Sequence, residues 1–342
     1  MRGLRLVCTG LALAAVSLSF GAVVRAESCT TQSAMTDTDR TALAAAVRGM
    51  AEKVQNNDAA GLQAITIPEY AKNFGAIQTA VETASPNVKG ATLVVEQIYL
   101  LDATDLKPGS DGKPGNAQFL CTLNHSIAEA DFSIPSLPAG KYAFGIVEAR
   151  GIAAPYRLSF LMQQEQGAWH MAGFYPRAMT AAGHDGLWYW TEARKLEKNK
   201  EPWSSWLYYQ QAEALLNPTA IIQSTHLEKL RNELAAAAPP ALSDGISENT
   251  PLVVKGADGT EYHFIGLGVD DSLQKDKIDV IARLKVDQLG DAATAKKRNT
   301  DAMSALVGAY PELRKNFHGV WMVAQPPGQN PYAIELAMNE IH

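Results

Sequence analysis

The apolar positions Leu43, Val47, Met50 and Val54 fall at spacings of four, three and four, the period of a helix with one buried stripe. Thr36-Asp37-Thr38-Asp39 stands just ahead of them and offers side-chain oxygens to the unpaired N–H groups of a first turn, so a helix is predicted from Thr36. Asn56-Asn57-Asp58 stops it and caps a short second helix over residues 58–65. That helix must close before Pro68, because the residue ahead of a proline disfavours helical dihedrals. Phe74, Ile77 and Val81 repeat the helical spacing up to Pro86. Past Gly90 the texture changes: residues 91–101 are rich in branched side chains and read as a strand. The loop at 107–115, with two prolines and three glycines, excludes regular structure. Residues 117–123 form a second strand candidate. Residues 132–140 are a proline-punctuated approach to a third at 142–150, where Tyr142, Phe144, Ile146 and Glu148 share one face. Tyr156, Leu158, Phe160 and Met162 alternate along the next strand, Gln166-Gly167 turns, and residues 168–175 return as a hairpin.

The densest aromatic stretch follows, at residues 184–218, and holds four of the six tryptophans. Asp185 caps its first helix, Pro202 opens the second, and in the second Trp203, Trp206, Leu207, Tyr209, Ala212, Leu215 and Leu216 cover more than one face. A helix apolar on more than one side is buried between other elements. Thr225-x-x-Glu228 reads as a capping box for a third helix carrying Leu227, Leu230 and Leu234. After Ala-rich and polar residues at 235–250, strands are predicted at 252–255 and 261–267 around the turn former Asp258-Gly259, with a further strand at 277–286. A helix is predicted from Ala292, kinked or restarted at Pro311, with Met303, Leu306, Val307 and Tyr310 inward. A final strand pair joins across Pro326-Pro327-Gly328.

These elements define an α+β protein: N-terminal helices on a curved antiparallel sheet, a central tryptophan-rich helical bridge, and a small C-terminal α+β domain. The expected limits are 36–180 for the first domain, 181–238 for the bridge, 239–250 for a linker and 251–342 for the last domain. Residues 1–26 read as a secretory leader: Arg2 and Arg5 precede an apolar run that ends at Val24-Arg25-Ala26, leaving 27–35 as an N-terminal tail. No second apolar run of that length occurs, so no membrane span is expected once the leader is cleaved. Cleavage leaves 27 basic residues against 36 acidic ones, a net −9, which argues against nucleic acid or anionic membrane as a partner. Cys29 and Cys121 are then the remaining cysteines. In an exported chain they are a natural disulfide pair, with two unrelated thiols as the alternative. Periplasmic or extracellular placement follows from the leader.

No motif announces chemistry. There is no His-Glu-x-x-His and no paired-cysteine spacing, and His318 stands beside no second ligand in the sequence, so neither metal nor cofactor is expected. Gly266-Leu267-Gly268 lacks the third glycine of a dinucleotide loop, and no Gly-x-Ser-x-Gly elbow occurs.

The opening helix, the Asn-Asn-Asp-Ala-Ala-Gly-Leu turn and the closing hairpin LSFLMQQEQGAWHMAGFYPRA, with Gly167-Ala168-Trp169 and Gly173-Phe174-Tyr175, resemble the NTF2-like superfamily over residues 36–180. The chain as a whole is also similar to exported bacterial proteins, a likeness that supplies no activity. The superfamily resemblance implies a cone-shaped fold with a pocket between helix and sheet, used by isomerases, dehydratases and non-catalytic binders alike. Active members carry an Asp-His or Asp-Tyr pairing, which no pair here matches by position. Candidate pocket residues are Tyr70, His125, Tyr142, Glu148 and Trp169. The expectation is a non-catalytic exported protein that binds a protein partner or a small ligand. The alternatives are an NTF2-like isomerase or hydro-lyase using His125, Tyr142 or Glu148 in the cone, and a carbohydrate-binding module using Trp188 and Trp203.

Overall fold

The computed structural model describes residues 27–122, 129–272, 274 and 276–342. The leader assigned to residues 1–26 and the pocket candidate His125 lie outside the described residues. The fold is α+β. Its first half contains β1 (Ser28–Thr31), α1 (Asp37–Gln55), α2 (Ala59–Ala64), α3 (Pro68–Ala71), α4 (Gly75–Val88), β2 (Thr92–Asp102), β3 (Ala117–Thr122), β4 (Glu129–Ile134), β5 (Lys141–Arg150), β6 (Tyr156–Glu165) and β7 (Ala168–Ala178). The second half contains β8 (Thr180–Ala181), β9 (His184–Asp185), α5 (Gly186–Lys198), α6 (Pro202–Leu216), β10 (Ile222–Ser224), α7 (Thr225–Ala236), β11 (Leu252–Lys255), β12 (Glu261–Asp270), β13 (Asp279–Lys285), α8 (Ala292–Ala309), α9 (Leu313–Asn316), β14 (Gly319–Gln325) and β15 (Tyr332–Ala337).

The N-terminal half is three layers deep. A five-stranded antiparallel sheet, β1-β2-β5-β6-β7, carries α1, α2 and α4 on one face and the small sheet β10-β4-β3 on the other. Both faces of β5 are therefore buried: Ala143 and Val147 meet the helices, while Tyr142, Phe144 and Ile146 meet the small sheet. Thr36 and Asp58 cap α1 and α2 by accepting from Asp39 N and Gly61 N. Close packing of α1 on the sheet needs Gly145, where a Cβ would lie 2.5 Å from Val47 Cγ2. Helix α4 runs through Pro86 to Val88 instead of stopping at the proline. Pro86 sits in the last turn, where one N–H is lost; Val88 is fully buried, and Gln55 Nε2 donates to the carbonyls of Val88 and Ala91 at 2.9 Å.

Residues read as a tail form β1, paired with β2 in the register Cys29↔Leu101. The Cys29–Cys121 disulfide is present, with a Cα–Cα separation of 5.3 Å, and it ties β1 to β3. Strand β4 also lies partly where only an approach was expected. Ala130, Phe132 and Ile134 alternate inward, Phe132 pairs with Phe119, and the strand ends at the residue before Pro135.

The C-terminal sheet, β11-β12-β13-β14-β15, is antiparallel except for β13 and β14, which pair in parallel through the crossover α8–α9. Val280, Ala282, Leu284, Val320 and Met322 form its inner face, and they share one hydrophobic core with the tryptophan helices. The N-terminus of α6 is capped from the C-terminal part: Glu312 Oε1 accepts from Trp203 N at 2.6 Å and Ser204 N at 3.2 Å. Asn316 Nδ2 donates to Glu201 Oε2 and Ser204 Oγ, and Trp203 packs on Tyr310 with ring centroids 3.9 Å apart. Glu233 on α7 accepts from Trp190 Nε1 and from Arg194 Nε and Nη2, each at 2.7 Å, and those bonds tie α7 to α5.

Contacts to the N-terminal half are made by other residues. Strand β10 adds an edge to β4, with Ile222 opposite Phe132, and Arg157 on β6 donates to the carbonyls of Leu215 and Leu216 at the end of α6. That is the electronegative end of the helix, where a guanidinium is favoured. The cap of α7 is Ser224, accepting from Leu227 N, and not Thr225. Ser224 keeps the extended backbone of β10, while the Thr225 hydroxyl accepts from Glu129 N.

Candidate functional site

The pocket candidates drawn from the sequence occupy different places. Tyr70 is exposed on α3, and its phenol is close enough to Tyr142 to count among the groups that raise it. Burial, with Tyr70, Glu165 and Glu69 as lesser contributions, pushes the Tyr142 hydroxyl up to about 12; it donates to Pro138 O at 2.8 Å. Trp169 packs on the opposite, helix-covered side of the sheet. Glu148 lies at the far end of β5 from Tyr142, where it accepts from Arg150 Nε at 2.9 Å. The fold thus brings Tyr70 and Tyr142 together and separates Glu148 and Trp169 from them.

A cleft of about 260 Å³ lies instead where the start of α5 and the middle of α6 meet the loop before β13 and the α9–β14 junction. His184 and Trp188 stack along one wall, with ring centroids 3.7 Å apart and planes within 10° of parallel. Asp185 between them caps α5 by accepting from Trp188 N at 2.8 Å, which fixes the turn that sets one ring over the other. Behind this pair Tyr189 and Tyr208 pack with their planes tilted by 59°, and each hydroxyl is spent on a backbone carbonyl: Tyr189 donates to Ala181 O at 3.0 Å and Tyr208 to Asn316 O at 3.2 Å. Burial pushes the Tyr208 hydroxyl up to about 12 and raises Tyr189 further still, so both stay neutral. Lys277, Lys315 and His318 stand on the other sides, with Asp276 as the carboxylate of the lining.

The rim is held in an uncommon backbone conformation. Ala182 has φ 47° beside Gly183 at φ 79°, and Asp276 has φ 64°. A non-glycine residue with positive φ costs of order 1 kcal/mol or more and persists only where its surroundings enforce it. At Ala182 the enforcing contact is Asp271 Oδ2, which accepts its N–H at 3.0 Å.

His318 also belongs to a second group of side chains. Its Nδ1 is 3.1 Å from Oδ1 of Asp279, which opens β13 and is completely buried. Glu335 on β15 completes the group, with one ligand-type atom from each residue lying within 4.8 Å of the others. Desolvation, and next the charge of Asp279, hold the Glu335 carboxyl above its usual range. No family model, curated protein or solved structure matches this chain. The two sites therefore rest on their own geometry.

Sequence reading singled out Trp188 and the hub but missed His184, Asp276, Asp279 and Glu335 as site residues. Asp279, His318 and Glu335 have no motif spacing. Only the parallel pairing of β13 with β14 sets Asp279 beside His318, and a reader would have to fold α8 and α9 as a crossover to see it.

Proposed function

We propose that the protein is exported and acts as a non-catalytic binding protein for a small organic anion with a flat apolar ring, held in the cleft beside Trp188. The observation that carries this reading is the stacked His184–Trp188 pair facing Lys277, Lys315 and His318 across a concave surface. A flat ring gains dispersion and burial against such a pair. Lys277 and Lys315, the latter also paired with Glu201 Oε1 at 3.1 Å, offer ammonium donors to a negative group on the ligand. The enforced positive φ at Ala182 and Asp276 fits a rim preorganised for an occupant. The lining residues described contain no serine, threonine or cysteine to act as a nucleophile, and both lining tyrosines are spent on carbonyls. Trp203 is 6% exposed and packed on Tyr310, so it offers no open face to a sugar.

In this reading the N-terminal half is an NTF2-like scaffold, supported by α1, α2 and α4 on one face of a five-stranded antiparallel sheet. Export is supported by the disulfide and the leader pattern. Titrating the secreted chain with benzoate and indole-3-acetate while following tryptophan fluorescence tests it. Saturable quenching is expected, weakened about tenfold, or ~1.4 kcal/mol, in Trp188→Ala and by a smaller factor in Lys277→Ala. No saturable change, or equal affinity in both variants, removes the cleft from consideration.

A further inference from the structure

The carboxylate of Asp279 is an anomaly in the C-terminal sheet. It is fully buried, its Oδ1 faces His318 Nδ1 at 3.1 Å, and its Oδ2 is shielded from solvent with no hydrogen-bond donor among the described residues, the Glu335 carboxyl being the neighbouring acid. A buried carboxylate oxygen without a donor is costly, and cost at one atom in a native fold calls for a ligand or a proton to relieve it. Glu335 brings a second carboxyl toward the first, and Asp270, paired with Asp279 across β12 and β13, adds a third nearby. Carboxyls this close are relieved either by a shared proton or by a cation bound between them.

The backbone keeps the spot open. Gly319 follows His318, and a Cβ there would lie 2.9 Å from Asp279 Oδ1 and 2.6 Å from Leu336 O, so only glycine lets β14 and β15 close around the carboxylate. Asp279 opens β13, His318 precedes β14 and Glu335 lies within β15 opposite Trp321, so three adjacent strands of a sheet whose inner face is core fix the three backbones. Rigid placement of ligands is what a metal site requires.

We propose that Asp279, His318 and Glu335 form a binding site for a divalent first-row transition ion, zinc foremost. One imidazole nitrogen and two carboxylate oxygens suit zinc or manganese. Calcium, which takes six to eight oxygens, finds too few here. The ligand atoms lie within 4.8 Å of one another, and tetrahedral zinc holds its ligands about 3.4 Å apart, so side-chain rotation must bring them together by about an ångström. Its charge neutralises the unpartnered Asp279 oxygen and orients the His318 ring that also borders the cleft. The site does not depend on any organic ligand, and its test reads none.

The secreted chain, stripped with EDTA and dialysed, is titrated with zinc chloride against a chromophoric chelator, with melting temperature followed in parallel. One equivalent is expected to bind with sub-micromolar affinity and to raise the melting temperature, and calcium chloride should not compete. Glu335→Gln, at a partly exposed position, and His318→Gln should each weaken binding by at least about tenfold. His263→Gln, at the other end of β12, should leave it unchanged and reports on adventitious surface histidines. Failure of the parent chain to bind zinc tighter than millimolar, or unchanged affinity in both the Glu335 and His318 variants, overturns the proposal. In that case Asp279 and Glu335 share a proton instead.

Discussion

Replacing Trp203 by alanine is expected to lower the unfolding free energy by about 3–5 kcal/mol, the range for removing a large aromatic side chain from a packed core. Trp203 sits in the first turn of α6, buried, with its ring on Tyr310 and its backbone N–H on Glu312. The surroundings have little room to collapse: Ser205 Oγ is bonded to Ala193 O at 2.9 Å, and Asn316 Nδ2 holds Ser204 Oγ at 3.0 Å. Urea unfolding followed by circular dichroism checks this. A change below about 1 kcal/mol would mean that the indole is peripheral to the core.

Replacing both Cys29 and Cys121 by alanine is expected to cost about 2–5 kcal/mol. The bond spans 92 residues, and closing so long a loop removes much of the unfolded chain's freedom. Its loss also frees β1, a four-residue edge strand with Ser28 exposed at its start, so the damage should concentrate there and in β3. Thermal unfolding of the double variant checks the magnitude. Adding a thiol reductant to the parent chain should reproduce the effect, and to the variant should do nothing.

Much of the fold was legible because the local signals agree with the tertiary structure. Thr36, Asp58 and Asp185 announce their helices by a polar residue ahead of a periodic apolar stripe, and each caps as expected. Asp258-Gly259 makes its turn with Gly259 at φ 83°. The misses share a cause, which is pairing across long stretches of chain. Strand β1 is too short to show alternation and is held by the disulfide and by β2. Ser224 replaces Thr225 as a cap because β10 pairs with β4, more than eighty residues earlier. The parallel β13–β14 pair depends on a crossover that no local pattern marks. The candidate sites fall within this second class. Trp188 is visible as an aromatic on a helix, but its partnership with His184 needs the β8–β9 turn, and the Asp279 cluster needs three strands in register.

The cleft requires that the tryptophan helices and the C-terminal sheet be one folded body, with Glu312 and Asn316 clasping the start of α6. Native-state hydrogen exchange of the whole chain in rising urea tests that directly. The amides of α6 and of β13 and β14 should open together, with one free energy and one dependence on urea. Earlier opening of α6 while β13 and β14 remain protected would contradict it, and would make the aromatic helices a separate unit resting on the sheet.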